Sequence, residues 1–215
     1  MKALVIGATG ATGKDLVKCL LEDSSFSEVH IFVRRSVDIS NPKLKIHTVD
    51  FDKIQEWKDN IVGDVAFSVM GTTLKQAGSK EVQRVVDYNY PYNFAKYAKE
   101  NNVPHFVLLS SYGANSNSIF FYNKIKGELE NAIQKLNFEY LTIFQPGVLE
   151  RKNSDRLMEV IASRVIKFIN NLGLFVSQKP MPTEILAQAM INSAQLKTEK
   201  ISFIKLNKIF ETAKV

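Results

Sequence analysis

Short apolar runs alternate with amphipathic stretches along most of the 215 residues. The runs at 2–6, 29–33, 45–49, 65–70, 106–109, 140–144 and 201–206 are short and rich in β-branched or aromatic side chains, so each reads as a strand. Between them, apolar positions three and four apart predict helices over 11–21, 53–61, 80–99, 122–136, 156–170 and 184–194, with Pro91 breaking the third.

Strands that alternate with helices, and that are apolar along their whole length, belong to a sheet covered on both faces. The fold class expected is therefore α/β, a doubly wound, mostly parallel, Rossmann-like sheet. No repeat, low-complexity tract or linker divides the chain, so one domain over 1–215 is expected. From about residue 150 the pattern is mainly helical, with 179–182 a proline-bearing loop between helices. That region is expected to form a small cap on the substrate side.

Composition narrows the class. A chain of this length with 45% hydrophobic residues can bury a core without staples. Its single cysteine, Cys19, lies in an apolar stretch and cannot form an internal disulfide, which suggests a reducing compartment. No run approaches membrane-spanning length, and the apolar run at 3–6 is too short for a signal peptide, so no secretory leader is expected. These features predict a cytoplasmic protein, monomer or homodimer, with no membrane partner. The 28 Lys and Arg against 22 Asp and Glu give a formal charge of +6, but the basic residues are scattered and mixed with acids. That distribution favours a solvated surface that attracts anionic ligands over a nucleic-acid interface.

The strongest motif is Gly7-Ala8-Thr9-Gly10-Ala11-Thr12-Gly13, placed between the first strand and the first helix. Glycines there allow a tight turn, close approach of a pyrophosphate and tight helix-to-strand packing, while the helix N-terminus offers free N–H groups. Gly7, Thr9, Gly10, Ala11, Thr12 and Gly13 are therefore candidate dinucleotide contacts. Their three-apart spacing resembles that of short-chain dehydrogenases. The second strand ends in Arg34-Arg35 with no carboxylate, which suits a 2′-phosphate and points to NADP(H) over NAD(H). Asp50 and Phe51, after the third strand, are candidates to flank the adenine. Gly71, Thr72 and Thr73, after the fourth, leave room for a dinucleotide crossing the sheet edge.

The fifth strand ends in Ser110-Ser111, and Tyr122 and Lys126 follow four apart on one helix face. Carbonyl reduction by a nicotinamide needs a proton donor at the forming alkoxide; a tyrosine beside an ammonium can serve, with Ser111 bonding the substrate oxygen. The spacing alone does not decide, because Tyr92 and Lys96 repeat it. Position does: only Tyr122 opens a helix just after a serine-bearing strand end. His30, His47 and His105 lie in or beside strands and read as packed or edge histidines, and no metal site is expected. Trp57, Met70, Phe120 and Phe121 read as core or pocket lining.

Taken together, these residues resemble the atypical short-chain dehydrogenases, and within them the Tat-interacting-protein-type oxidoreductase family. The likeness is carried by the 7–13 loop, Gly71-Thr72-Thr73 with Ala77-Gly78, the 105–111 strand end, Tyr122 with Lys126-Gly127-Glu128, and Pro146-Gly147-Val148-Leu149. It implies bound NADP(H), Ser111, Tyr122 and Lys126 as the catalytic set, cofactor contacts that include Ser110, and the Pro146–Leu149 turn beside the nicotinamide. Gln145 departs from the pattern, since an arginine commonly precedes that Pro-Gly pair. The function implied is NADP(H)-dependent interconversion of a small carbonyl and hydroxyl compound. A non-catalytic NADP(H)-sensing protein that binds a protein partner is the alternative.

Overall fold

The computed structural model describes residues 1–150, 180–196 and 199–215. Seven parallel strands form the central sheet in the order β3-β2-β1-β4-β5-β6-β9. They are β1 Lys2–Ile6, β2 Glu28–Val33, β3 Leu44–Thr48, β4 Val65–Ser68, β5 His105–Leu109, β6 Tyr140–Gln145 and β9 Ile201–Lys205. A separate ladder of two short strands, β7 Leu149–Glu150 and β8 Met181–Pro182, lies outside it. The 181–182 segment, expected as loop, is therefore paired with the end of the 146–149 turn; the predicted helix at 156–170 lies outside the described residues.

The doubly wound α/β arrangement explains why the strands read as unbroken apolar runs. Ala3, Leu4, Val5 and Ile6 of β1 are all fully buried, because helices cover both faces of the strand. One core layer holds α1 (Ala11–Glu22) and the helix Thr183–Leu196; the other holds α4 (Tyr90–Glu100) and α5 (Phe121–Gln134). The chain order reverses direction beside β1, with β2 on one side and β4 on the other. This is the topological switch point, where α/β sheets hold ligands beyond the carboxyl ends of their strands.

Two predicted helices take other forms. Residues 53–61 are not α-helical but fall in two 3₁₀ turns, Phe51–Glu56 and Lys58–Asn60. The buried side chains Phe51, Ile54 and Trp57 recur every three residues, which a three-residue turn stacks on one side. The 80–99 pattern divides into α3 (Lys80–Arg84), a π turn (Val85–Asn89) and α4, following the short α2 (Leu74–Ala77). Pro91 enters α4 at its first turn. It has no N–H to donate, and its ring would crowd the carbonyl four residues earlier, that of Asp87; the widened turn relieves this conflict. A final helix, Asn207–Thr212, was not evident in the pattern.

Candidate active site

A cleft of about 440 Å³ opens at the carboxyl ends of β4 and β5. Gly10, Ala11 and Thr12 of the glycine loop line one side; Met70, Gly71, Thr72 and Thr73 line another; Ser110, Tyr122, Lys126 and Leu149 close it. The loop is shaped by packing. A Cβ on Gly13 would collide with the Gly7 carbonyl, and Gly7 itself has φ of +81°, so both positions are reserved for glycine by the turn alone. Gly10 differs, because a Cβ there meets only the Gly7 oxygen, at 3.2 Å. It caps α1 without a side chain, and α1 has no acidic residue in its first turn. The first-turn N–H groups therefore stand uncapped at the cleft, a ready anion site.

The other expected cofactor contacts sit outside this lining. Thr9 faces a second, apolar hollow of about 430 Å³ between α1 and residues 37–39. Arg34 and Arg35 are exposed at the end of β2. Asp50 uses its carboxylate to cap the 3₁₀ turn, accepting from Asp52 N at 3.0 Å. Phe51 is buried against Trp57 and Tyr90, so its ring belongs to the core and not to an open adenine face. Tyr90 donates to Asp52 at 2.8 Å; burial and that carboxylate push its hydroxyl up to about 12. In the 146–149 turn only Leu149 reaches the cleft, while the Pro146 carbonyl accepts from Tyr112 N and the Val148 carbonyl from Met181 N.

Helix α5 delivers the central pair. Tyr122, in its first turn, is 39% exposed at the mouth, while Lys126, one turn further, is 2% exposed in the wall. The Lys126 ammonium lies 5.8 Å from the Tyr122 ring centre, 3.1 Å from Asp87 Oδ1 and 3.4 Å from the Met70 carbonyl. Burial alone would lower its pKa; Tyr122 and Asp87 outweigh burial, so the group is held above the ordinary lysine range. The tight seating of α5 is set by Gly127, where a Cβ would strike the backbone of Asn115 and Ser116. The loop is tied to α5 again by Asn123, whose amide donates to the Gly113 carbonyl at 2.9 Å.

The two serines part company. Ser110 lines the cleft, but its hydroxyl donates to Glu130. Ser111 does not line the cleft; its Oγ is buried and has no hydrogen-bond partner among the described residues. Such an atom carries a desolvation penalty unless something bonds it.

Several site residues escaped the sequence reading. Asp87 is fully buried on the π turn and, besides meeting Lys126, accepts from Thr72 N at 3.2 Å. Gln83 donates to the Thr72 carbonyl at 3.4 Å. The strand-end loop 71–73 is thus held from both its N–H and C=O sides. Glu130 accepts from Gln145 Nε2 at 2.9 and 3.0 Å, so the residue that departs from the family pattern faces a buried carboxyl. The signal available was spacing: Glu130 follows Lys126 by four on the same helix face.

The histidines occupy other surroundings. His30 Nδ1 meets His47 Nε2 at 2.9 Å and its Nε2 meets Glu28 at 2.8 Å, while His105 meets Thr142 at 3.0 Å. Among the described residues, no three His, Cys, Asp or Glu side chains are grouped to hold a metal, and no helix is long and apolar enough to cross a membrane.

Comparison with known proteins places this geometry. Residues 7–165 match a family model described as NAD(P)H-binding. Protein FMP52 of Candida albicans is 36% identical over 91% of this chain and 88% of its own length. Protein HTATIP2 of rat is 36% identical over 88% and 79%. Among solved structures, MoeE5 in complex with UDP-glucose and NAD superposes with a TM-score of 0.72 at 14% identity, covering all of this chain and 81% of that one. A UDP-glucose 4-epimerase from Thermotoga maritima does so with 0.72 at 13%, covering 100% and 82%; likeness at this identity supports the fold. The FMP52 proteins of Candida albicans, Scheffersomyces stipitis and Debaryomyces hansenii are named as mitochondrial, which overturns the expectation of a cytoplasmic protein. One cysteine and no long apolar run do not separate the cytoplasm from an organelle. On the span of the family match and the identity to HTATIP2 and FMP52, the chain belongs to the NAD(P)H-binding family of Rossmann-fold proteins.

Proposed function

We propose that the protein is an NADP(H)-dependent oxidoreductase of the short-chain dehydrogenase type, interconverting a small carbonyl compound and its alcohol. The observation that carries this reading is one cleft shared by the uncapped start of α1 and the Tyr122–Lys126 pair of α5. The first-turn N–H groups at Ala11 and Thr12 would hold the pyrophosphate, and Gly10 leaves them open to it. Thr72 and Thr73 would flank the crossing, on a loop fixed by Asp87 and Gln83. Arg34 and Arg35, exposed at the end of β2, would grip the 2′-phosphate.

When bound, a nicotinamide supplies or accepts the hydride. The chain's own part is the proton and the charge. In the reducing direction the Tyr122 hydroxyl gives its proton to the alkoxide oxygen as that forms, and the Lys126 ammonium steadies the phenolate left behind. Ser111, the serine the sequence assigns to that oxygen, lies outside the cleft lining with its Oγ buried, so it would have to turn toward the cleft to bond it. Hydride plus proton balances the carbonyl against the alcohol. In the oxidising direction both leave.

A second reading, a cofactor sensor that docks a protein partner, draws support from Asp87. Its carboxylate neutralises Lys126 and weakens the field available to Tyr122. Loss of NADPH absorbance across a panel of aldehydes, ketones and quinones separates the two. Turnover that is lost in Tyr122→Phe supports the reductase. Tight NADPH binding with no turnover of any compound in the panel supports the sensor.

A further inference from the structure

Tyr122, Lys126 and Glu130 stand at four-residue intervals, so one face of α5 presents all three. The first two already have roles in the cleft. Glu130, 5% exposed, reaches it through Ser110, which lines the cleft and donates its hydroxyl proton to Glu130 Oε1. Gln145 Nε2 donates to both carboxyl oxygens, at 2.9 and 3.0 Å. Both partners are neutral, from β6 and from the residue that follows β5. Among the described residues no cation lies within ion-pair distance of this carboxyl: Lys126, on its own helix, is turned to Asp87, and Lys205, beside Gln145 in the β6–β9 register, acts only at longer range.

We propose that Glu130 is a positioning residue that sets whether Ser110 offers the cleft a lone pair or a proton, and that Gln145 leaves this setting open to protonation. The inference rests on reading the cleft as the place where a carbonyl and a hydroxyl interconvert. With the carboxyl ionised, Ser110 spends its proton on Glu130 and its oxygen can only accept. With the carboxyl protonated, one oxygen still accepts from Gln145 while the new O–H donates to Ser110 Oγ. The Ser110 proton is then free for a ligand oxygen. The proton comes from solvent, and no bond of the ligand is made or broken. Burial drives the carboxyl upward from the ordinary glutamate range, with Gln145 and Ser110 opposing it. A guanidinium at position 145 would add a full charge and hold the carboxylate ionised.

Infrared difference spectra of the full chain, recorded between about pH 5 and pH 8, follow the carbonyl band of a buried protonated carboxyl without needing a substrate. The band should grow as pH falls in the wild type, vanish in Glu130→Gln, and shift to lower pH by about one unit or more in Gln145→Arg. In parallel, the pH dependence of NADPH affinity in the wild type should contain a component that follows the Glu130 band, over and above the ionisation of the cofactor's own 2′-phosphate at about pH 6, and Ser110→Ala should remove that component alone. A wild-type carboxyl that stays ionised down to about pH 5, or a band that survives Glu130→Gln, overturns the proposal. A Gln145→Arg titration superposing on the wild type also overturns it, and keeps the test decisive if Glu130→Gln does not fold. If the band behaves as expected while no carbonyl is turned over, the Glu130 assignment stands and the catalytic reading of the cleft falls.

Discussion

The chain carries the same tyrosine–lysine spacing twice, on adjacent helices of one core layer, and the two copies live in different surroundings. On α4, Tyr92 is half-buried against Tyr88, with ring centres 5.9 Å apart, and Lys96 reaches Glu100 across open solvent. On α5, Lys126 is sealed into the wall of a cleft with a fully buried aspartate as its partner. An exposed pair such as Lys96–Glu100 contributes little in water, whereas a buried one cannot lose either member cheaply. Local spacing is therefore common property, and the chemistry comes from where the sheet places it. The α5 copy begins just beyond the carboxyl end of a central strand; the α4 copy lies along the layer that covers the sheet.

The largest separation between the two copies is expected in turnover. Tyr122→Phe keeps the ring and removes one hydroxyl, so on a confirmed substrate the rate should fall by roughly 10²–10⁴ with NADPH affinity little changed. Tyr92→Phe should leave both alone. Comparable losses in the two variants would erase the distinction.

Stability separates the lysines. Lys126→Met strands the Asp87 carboxylate in the core and should cost about 3–5 kcal/mol in chemical denaturation. Lys96→Met removes an exposed pair and should cost about 0.5 kcal/mol or less. The double variant Lys126→Met with Asp87→Asn should recover part of the loss, because the buried charge is gone. Equal costs for the two single variants would mean that the α5 pair is not sealed.

A smaller effect tests whether the α5 cleft takes a phosphorylated ribose. Arg34 and Arg35 should favour NADP(H) over NAD(H) by about tenfold, or about 1.4 kcal/mol, and replacing both with Ala should remove most of that preference. Equal affinity of the unaltered protein for the two cofactors, measured by calorimetry, would remove the case for a 2′-phosphate site.

The sheet was legible in the sequence because a strand buried on both faces must be apolar throughout, and β1 is. The glycine loop was legible because its spacing is demanded by the turn, as Gly7 and Gly13 show. The 3₁₀ turns at 51–60 were misread because Phe51, Ile54 and Trp57, three apart, satisfy a helical pattern without an α-helix. Asp87 was hidden for a different reason. A charged residue within an amphipathic run reads as solvent-facing until the structure brings a buried cation from another helix against it. Ser110 and Ser111 are neighbours with the same side chain, and only the position of Glu130 tells which hydroxyl is engaged. Gln145 was visible as a departure, but the carboxyl it faces was not.

The central claim is that the cleft where α1 and α5 meet receives the dinucleotide, and calorimetric titration of NADPH into the wild type and Gly10→Val tests it most directly. Gly10 is less demanded by the fold than Gly7 or Gly13, since its Cβ position meets only the Gly7 carbonyl oxygen, at a tight 3.2 Å. The variant should still fold, at some cost in unfolding temperature as the Gly7 carbonyl gives way, and lose measurable NADPH binding, because the new side chain stands where the pyrophosphate must approach the start of α1. Wild-type affinity in a folded Gly10→Val protein would contradict the account and move the cofactor out of the cleft.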